Sequence, residues 1–408
     1  MNPSRRRFLK STGLGFLALG LPPAFLVRAA EAQQADNGKV MVVVFQRGAM
    51  DGLNAVIPFK DPAYYTLRPS IAIPEPAGGE DRVIDLDGFY GLHPALAPLK
   101  SIYDKGHLAI VHAAGSPDNT RSHFDAQDYM EIGTPGIKNT PDGWLNRYLA
   151  EKKNGLESPF RGVALTAQLP RILAGSASAL TMSSIDEFRL RNESMAGALQ
   201  KLYANTADTL FRFSGQNLFA AMSQLRQLES RIPPSTERYP TGRFGASLAQ
   251  IVRLIKADVG LEIAFTEIQG WDTHVNQGGA KGQMANRLKD LAEGLSSFYR
   301  DLGDRVEDVV LITLSEFGRT ARENGNRGTD HGHANVMFAL GGPVRGGKVY
   351  GRWPGLAPEV LYEGRDLNLT TDFRTVCGEV ISQHLGQKDL ARIFPGFRTT
   401  SVPLGLIA

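Results

Sequence analysis

Five short apolar runs, rich in β-branched residues, constrain the fold of this chain more than any other feature of its sequence. Each run is nearly continuous and does not alternate with polar residues, which is typical of strands buried on both faces of a parallel sheet. Segments with helical spacing separate them, among them 279–302. The alternation predicts a doubly wound α/β fold, with a mostly parallel sheet and helices on both faces. The predicted strands are 40–45, 108–112, 261–268, 309–314 and 335–340.

The stretch 190–256 departs from this alternation, because helical spacing fills it on both sides of the break "PPSTERYPTG". Proline and glycine interrupt helices and mark turns. We predict a helical insertion that packs against the sheet, within a single α/β domain spanning 33–408. A large α/β domain of this length is common.

The first 32 residues carry the pattern of an export signal. The segment "SRRRFLK" (4–10) matches the twin-arginine pattern, a moderately apolar run follows, and "AEA" (30–32) supplies a small-x-small cleavage site. The apolar run is short and contains two prolines, which disfavours a membrane anchor. We therefore predict a removed signal at 1–32, the twin-arginine translocation machinery as a partner, and periplasmic or extracellular localisation. We expect no stable membrane anchor after cleavage.

The charge and the cysteine content exclude several classes of protein. The formal net charge is +3, and residues 1–32 hold five basic side chains against one acidic, so the remaining chain is close to neutral. A near-neutral body gives no electrostatic attraction for nucleic acid or an anionic membrane. Cys377 is the single cysteine, so no internal disulfide forms, and its helical surroundings predict a small buried side chain.

Metal-binding side chains follow several of the predicted strands. Asp51 lies in a glycine-flanked turn after the first strand. Asp272 and His274 follow the third strand, and Glu316 follows the fourth. The carboxyl ends of strands in an open α/β sheet converge on one crevice, where ligands bind. Carboxylates and imidazoles together suit zinc, manganese or iron(II), so we expect these residues to form a metal site, with Arg319 assisting an anionic substrate.

The segment "GTDHGHANV" packs Asp330, His331 and His333 into four positions just before the fifth strand, in a chain with eight histidines. We include all three among the candidate metal ligands. Structural alternatives exist: Asp51 and Asp330 flank glycines and can stabilise turns, and Glu316 can cap a helix or pair with an arginine. Independent turns would not all fall at converging strand ends, so the metal interpretation is favoured.

The segment "GSPDNTRSHFDAQDYMEIGT" follows the second strand and begins a predicted helix. Thr120 and Ser122 are candidate N-cap residues, and Ser122 with Asp125 resembles a capping box. The alternative is catalytic, with Thr120 or Ser122 as a hydroxyl nucleophile and Arg121 binding an anionic oxygen. His123 is a candidate base or metal ligand. The sequence leaves both interpretations of this segment open.

Five blocks of the sequence together resemble the exported family called domain of unknown function 1501, across essentially all of 33–408. That family resembles, more distantly, the alkaline phosphatase and sulfatase superfamily. The superfamily's doubly wound α/β fold carries a two-metal site that cleaves phosphate or sulfate esters. The blocks are "FQRGAMDGLNAVIPFKDPAYYTLRPSIAI", "RSHFDAQDYMEIGT", "GWDTHVNQG", "SEFGRTARENGNRGTDHGHANVMFALGG" and "GKVYGRWPGL".

The resemblance implies an alkaline-phosphatase-like fold and roles for residues in the first half of the chain. Asp51 matches the superfamily's first-strand metal aspartate. Ser122 or Thr120 stands where the superfamily's nucleophile opens a helix.

Further roles fall in the second half of the chain. Asp272 and His274 resemble the superfamily's aspartate–histidine pair, with shorter spacing. His331 or His333 is similar to its late histidine ligand. Phe317 is a departure, because a glutamate and this phenylalanine replace an adjacent aspartate–histidine pair, and phenylalanine cannot bind a metal.

Two functions are consistent with these patterns. The first is an exported hydrolase of small anionic phosphate or sulfate esters, with one or two divalent metal ions, zinc as first choice and manganese or iron as alternatives. The second is an exported binding or assembly protein without catalysis, in which the cluster is a structural metal site or a polar network. A redox protein is disfavoured, because the sequence has no haem motif, cysteine cluster or dinucleotide glycine fingerprint in the expected setting.

Overall fold

A computed structural model gives the fold and describes residues 38–76, 81–152, 158–186, 196–206, 215, 218–223, 235–398 and 403–408. The strands are β1 (Val40–Arg47), β2 (Val56–Ile57), β3 (Ile84–Asp85), β4 (Gly91–Leu92), β5 (Leu108–Gly115), β6 (Gly162–Ala164), β7 (Leu180–Thr181), β8 (Ile263–Gln269), β9 (Val309–Leu314), β10 (Asn335–Leu340), β11 (Val349–Tyr350) and β12 (Thr371–Asp372). The α-helices are α1 (Gly52–Ala55), α2 (Pro62–Leu67), α3 (Ala97–Asp104), α4 (His123–Ile132), α5 (Trp144–Glu151), α6 (Ala196–Asn205), α7 (Arg243–Lys256), α8 (Gln283–Leu302), α9 (Phe373–Glu379) and α10 (Leu390–Ile393).

The main sheet has nine strands in the order β11-β5-β10-β9-β1-β8-β6-β7, and β12 also pairs with β5. β1 is parallel to both β8 and β9, and β6 is parallel to β7 and β8. β11 and β12 are parallel to β5. The predicted mostly parallel sheet is therefore confirmed. All five predicted strands are present, with ends that differ from the prediction by at most three residues.

Both faces of the sheet are buried, as the continuous apolar runs predict. Along β1, Val40, Val42 and Val44 belong to one hydrophobic cluster, whereas Met41 and Phe45 belong to the other. This alternation follows from the two-residue period of a strand. Helices α3, α7 and α8 cover the first face, and α5, α9 and α10 cover the second. The doubly wound arrangement is confirmed.

β10 is the exception to the parallel order, since it is antiparallel to both of its neighbours, β5 and β9. Its amino end therefore lies at the edge where β1, β5, β8 and β9 have their carboxyl ends. Residues that precede β10 consequently reach the same edge as residues that follow the other four strands. This strand direction explains how the "GTDHGHANV" segment can join the candidate site.

Part of the predicted helical insertion is described. Helices α6 and α7 lie within 190–256, and α7 packs on the sheet through Leu248, Ile251 and Ile255. The single domain with an insertion stays a prediction, because much of 207–234 lies outside the described residues. Cys377 is buried in α9, as the sequence predicts. The predicted signal, 1–32, also lies outside them, and no helix in the described part of the chain is long and apolar enough to cross a membrane.

Truncation of a side chain in the central strands should be costly. Ile312 on β9 is fully buried, so Ile312→Ala should lower the free energy of unfolding by about 2–5 kcal/mol through lost transfer energy and a cavity. Leu202 on α6 is 68% exposed, and Leu202→Ala should change stability by less than about 0.5 kcal/mol. Urea unfolding followed by circular dichroism measures both. Equal effects of the two substitutions would contradict this description of the core.

Candidate metal centre

Ionisable side chains gather at the edge of the sheet where β1, β5, β8 and β9 end. Asp272 and His274 follow β8, and His331 precedes the antiparallel β10. His123 is the first residue of α4, the helix that follows β5. The structure thus brings together side chains that are far apart in sequence, as the convergence of strand ends predicts.

The Oδ1 atom of Asp272 is the centre of this group. It lies 3.0 Å from Nε2 of His274 and 3.4 Å from Nε2 of both His123 and His331. The Nε2 atoms of His274 and His331 are 2.9 Å apart. Ligand atoms of His123, Asp272 and His331 all lie within 4.8 Å of one another, so this group could hold a metal ion.

The second ring nitrogen of each histidine contacts an atom that can only accept a hydrogen bond. Nδ1 of His274 lies 3.0 Å from Oδ1 of Asp330, and Nδ1 of His331 lies 2.7 Å from the carbonyl oxygen of Arg121. The contact of His331 Nδ1 with a carbonyl oxygen places the proton on that nitrogen and leaves a lone pair on Nε2, whereas His274 has a carboxylate at each ring nitrogen, Asp330 at Nδ1 and Asp272 at Nε2. Metal-binding histidines show the same arrangement, because the bond at one nitrogen fixes the tautomer and orientation of the other.

His123, a candidate base or metal ligand from the sequence, is also held at Nδ1 by an acceptor. Its Nδ1 lies 2.8 Å from Oε1 of Glu316. Its Nε2 is buried without a hydrogen-bond partner and faces Asp272. A buried polar atom without a partner costs about 1–3 kcal/mol, and a bound cation would remove that cost. The position of His123 at the start of α4 is the one sequence signal for its role.

Arg319 holds the loops around Asp272. Its guanidinium is fully buried and donates 2.6 Å to Oδ1 of Asp272. It also donates to the carbonyl oxygens of Gly48, Ala49, Trp271 and Thr329. Because these bonds occupy most of its N–H groups, the structure gives Arg319 a positioning role, and its predicted contact with an anionic substrate is unsupported by this geometry.

Asp51 lies in a different environment from the histidines. Its Oδ2 accepts from Arg68 at 2.6 Å and from Gln277 at 2.7 Å, and both Asp51 and Arg68 are buried. Gln277 in turn accepts hydrogen bonds from Thr273 and Thr329, which neighbour the ligand segments. The structure thus places Asp51 among buried supports of the site, and its predicted metal ligation stays a prediction.

His333 and Glu316 also lie apart from the convergent donor atoms. The ring of His333 stacks on Tyr362 with centroids 4.1 Å apart. Glu316 contacts Nδ1 of His123, whereas Asp272 lies near Nε2, the other ring nitrogen. Neither residue belongs to the three-residue group that could hold a metal in the described part of the chain.

Phe317, the departure from the superfamily pattern, supports two of the histidines. Its ring centroid lies 5.0 Å from those of His123 and His331. Phe317 is 4% exposed and packs with Ala49 and Ala126. The phenylalanine therefore forms an apolar wall that limits the orientations of both imidazole rings.

The capping box interpretation of Ser122 is wrong. Ser122 is the N-cap residue of α4, but its side chain makes no capping hydrogen bond. Asp125 instead pairs with Lys138. The Oγ1 atom of Thr120 accepts a hydrogen bond from the backbone N–H of Ser122. Ser122 is exposed next to His123, so the nucleophile interpretation stays open as a prediction.

Arg121 is neutralised by two carboxylates. Its guanidinium lies 2.7 Å from the buried Asp366 and 2.6 Å from Glu363. Arg365, by comparison, has a side chain that is 41% exposed; it lies 3.6 Å from Asp366 and donates to the carbonyl oxygen of His331. An anion approaching His331 therefore meets a more accessible guanidinium at Arg365 than at Arg121.

Local charges set the protonation of the site. Burial opposes ionisation of Asp272, but the hydrogen bond and charge of Arg319 hold its pKa below the ordinary value. The hydrogen bond to Glu316 raises the pKa of His123, and burial lowers the pKa of His331. Burial also opposes ionisation of Glu316, but hydrogen bonds, that from His123 first, keep its pKa lowered, so this carboxylate is an acceptor.

These donor atoms fit a metal ion. Zinc binds nitrogen ligands at about 2.0–2.1 Å. Two such nitrogens lie about 2.9 Å apart when the N–Zn–N angle is 90°, and about 3.4 Å apart when the angle is tetrahedral. The separations around Asp272 and His331, 2.9–3.4 Å, fall in this range. The carboxylates of Asp272, Glu316 and Asp330 each lie within 3.4 Å of a histidine ring nitrogen, and carboxylates at this distance favour a cation at the site.

The comparison with protein families identifies the chain. The model of "Protein of unknown function (DUF1501)" matches residues 107–389. The chain belongs to this family. The match covers α4 with His123, the segment of Asp272 and His274, and the segment of His331. It confirms the family resemblance drawn from the sequence motifs.

Solved structures similar to the DUF1501 chain share little sequence with it. They include the C-terminal periplasmic domain of EcEptC from Escherichia coli in complex with Zn (9% identity, 75% of this chain and 74% of that chain, TM-score 0.36). They also include the lipoteichoic acid synthase LtaP from Listeria monocytogenes (8%, 75% and 66%, 0.34) and the sulfatase PsFucS1 from Pseudoalteromonas sp. (12%, 81% and 68%, 0.35). At these values the likeness assigns no activity to the chain. No curated protein matches it.

Loss of the Arg319 contacts should destabilise the protein. Arg319→Lys removes the planar donor group and leaves buried carbonyl oxygens without partners, each costing about 1–3 kcal/mol. We expect the free energy of unfolding to fall by about 2–5 kcal/mol in total. Arg365→Lys is the matched control, because this half-exposed residue donates to one carbonyl in the same region, and it should change stability by less than about 0.5 kcal/mol. Urea unfolding that fails to separate the two variants would contradict the role of Arg319.

Proposed function

We propose that this chain is an exported metal-dependent hydrolase of phosphate or sulfate esters. The observation that carries the proposal is the convergence of three imidazole Nε2 atoms on the carboxylate of Asp272. The side chains of His331 and Asp272 are 24% and 45% exposed, so the cluster is open to solvent. Structural metal sites are closed by protein ligands, whereas catalytic sites keep an accessible position. Openness therefore favours the hydrolase over a binding protein with a structural metal.

The proposed metal ligands are His123, Asp272 and His331, and we add His274 as a fourth because its Nε2 lies 3.0 Å from Asp272 and 2.9 Å from His331. Three nitrogens and one oxygen suit zinc first, and manganese or iron(II) as alternatives. A divalent ion held there supplies Lewis acidity, which polarises an ester oxygen and lowers the pKa of a nearby hydroxyl or water. The class of ester comes from the superfamily resemblance of the sequence, and the site's chemistry agrees with it.

Residues at the start of α4 supply the proposed nucleophile. Ser122 is exposed, precedes the ligand His123, and uses its hydroxyl for no capping bond. The helix amino end adds a positive electrostatic potential that favours an anionic ester at this point. Thr120 is the second choice, since its Oγ1 already accepts a hydrogen bond from Ser122. Arg365 is the accessible cation for an anionic substrate oxygen.

Export by the twin-arginine machinery is part of the proposal, with the periplasm or extracellular space as the location. The "SRRRFLK" segment supports it. That route carries folded proteins, which suits a chain whose site forms only in the folded state.

Metal content and hydrolysis together test the function. The protein, exported by its own signal, should hold about one zinc, manganese or iron ion and hydrolyse an aryl phosphate or aryl sulfate. Asp272→Ala should lose both metal and activity with the fold intact. Ser122→Ala should retain the metal and lose hydrolysis by about 10³-fold or more.

Other outcomes separate the competing functions. Activity retained in Ser122→Ala excludes this serine as nucleophile and favours Thr120 or water. A stoichiometric metal with no hydrolysis of either ester contradicts the hydrolase and leaves the exported binding protein. A chain that binds no metal, even after reconstitution, contradicts both the metal-dependent hydrolase and the binding protein with a structural metal. Elemental mass spectrometry and a chromogenic assay supply the readouts.

Metal retention should depend on pH. A proton on Nε2 competes with a metal for the same lone pair, so affinity falls as pH falls. As the pH falls, His123 gains a proton first because its pKa is raised. His331 gains one at a lower pH because its pKa is lowered. The metal affinity should therefore begin to fall while the pH is still above the ordinary histidine pKa of about 6.5. Dialysis at stepped pH followed by metal analysis measures it, and a metal content that rises on acidification would contradict it.

A further inference from the structure

We propose that Glu316 is a positioning residue for the ligand His123: its buried carboxylate holds the imidazole so that Nε2 faces the metal. The inference deepens the proposed function and rests on the metal site that the proposed function assigns. It gives Glu316 a role different from the direct metal ligation that the sequence suggests.

Both carboxylate oxygens of Glu316 accept hydrogen bonds from neighbouring residues. Its side chain is fully buried, and its Oε1 accepts hydrogen bonds from His123 Nδ1, Gln127 Nε2 and the backbone N–H of Gly48, each at 2.8 Å. Its Oε2 accepts from the hydroxyl of Ser315 at 3.1 Å. The oxygen nearest the site therefore already has three donors, which leaves it no lone pair for a metal ion.

This carboxylate joins three separate elements. His123 and Gln127 are one turn apart on α4, so their side chains lie on the same face of the helix. Gly48 follows β1, and Glu316 follows β9. Gly48 has a φ of +112°, and a Cβ there would lie 2.8 Å from the backbone nitrogen of Asp272. Only glycine fits this position, and it lets the backbone turn pass close to Asp272 while its N–H donates to Glu316.

A hydrogen bond from Arg47 fixes the orientation of Gln127. Its Oε1 accepts from Arg47 Nη1 at 2.9 Å, which directs its Nε2 toward Glu316. Arg47 also lies 2.9 Å from the buried Glu131 and 2.5 Å from Glu267. A continuous chain of polar contacts therefore runs from two carboxylates, through Arg47 and Gln127, to Glu316 and the ligand His123.

The three histidines differ in what holds their Nδ1 atoms. His274 is held by Asp330, whose side chain is 52% exposed, and His331 is held by a neutral carbonyl group. His123 alone among them contacts a fully buried carboxylate. A buried negative charge on Nδ1–H increases the basicity of Nε2, and removal of such partners weakens metal affinity by about 10–100-fold.

The test uses the full mature protein and cobalt(II) as a visible probe of the site. Glu316→Gln keeps an oxygen that can accept from His123 but removes the negative charge. We expect cobalt affinity, measured by competition with a chelator, to fall about 10–100-fold, and the visible absorption bands of the bound cobalt to shift. Glu262→Gln is the matched control, because Glu262 is equally buried and bonded to Tyr148 and Arg161 at the far end of β8. That variant should leave the cobalt affinity and spectrum unchanged.

A double variant separates positioning from direct ligation. In the His123→Ala background, Glu316→Gln should change cobalt affinity by less than about twofold, because the two residues act as one unit. A further loss of tenfold or more would show that Glu316 binds the metal directly and would overturn the inference. Wild-type affinity and spectrum in Glu316→Gln alone would overturn it as well. A wild-type protein that binds no cobalt or zinc overturns the proposed function itself, which is a different result.

Discussion

One buried guanidinium, that of Arg319, connects the loops on which the candidate site depends. It bonds carbonyl oxygens after β1, after β8 and before β10, together with the carboxylate of Asp272. A fully buried arginine is stable only when its donors are satisfied, so the three loops fix each other through it. The guanidinium contacts Asp272 directly and the segment of His331 through the carbonyl oxygen of Thr329, so it links the two. The same cation also keeps Asp272 ionised.

The sequence was sufficient to predict the layers of the fold and the edge that carries the site. Continuous apolar runs such as 309–314 can be recognised because both faces of the strand are buried. The direction of β10 could not be predicted, since a short apolar run looks the same in parallel and antiparallel pairing. That direction is set by its partners β5 and β9. It is also what brings His331 to the same edge as Asp272.

The sequence predicted which residues lie near the site, because they follow strand ends. It did not predict the role of each residue where a contact with a distant segment decides that role. Asp51 follows β1 as expected, but Arg68, 17 residues later, neutralises it. Glu316 follows β9, but donors from α4 and from the turn after β1 occupy its oxygen. His123 was ambiguous because its neighbours look like a helix cap. Tertiary contacts between distant segments decide these cases, and no local pattern encodes them.

The distribution of the site along the chain has a consequence for how the protein folds. His331 is oriented by the carbonyl group of Arg121, 210 positions away, so the site requires closure of very long loops. Contacts between residues this far apart in the chain slow folding, because loop closure costs entropy before the contacts form. The proposed metal ligands therefore come from distant segments, unlike those of small zinc domains, whose ligands are close together in the chain. Under the proposed function, the binding free energy of an ion would add to the stability that the apolar core provides.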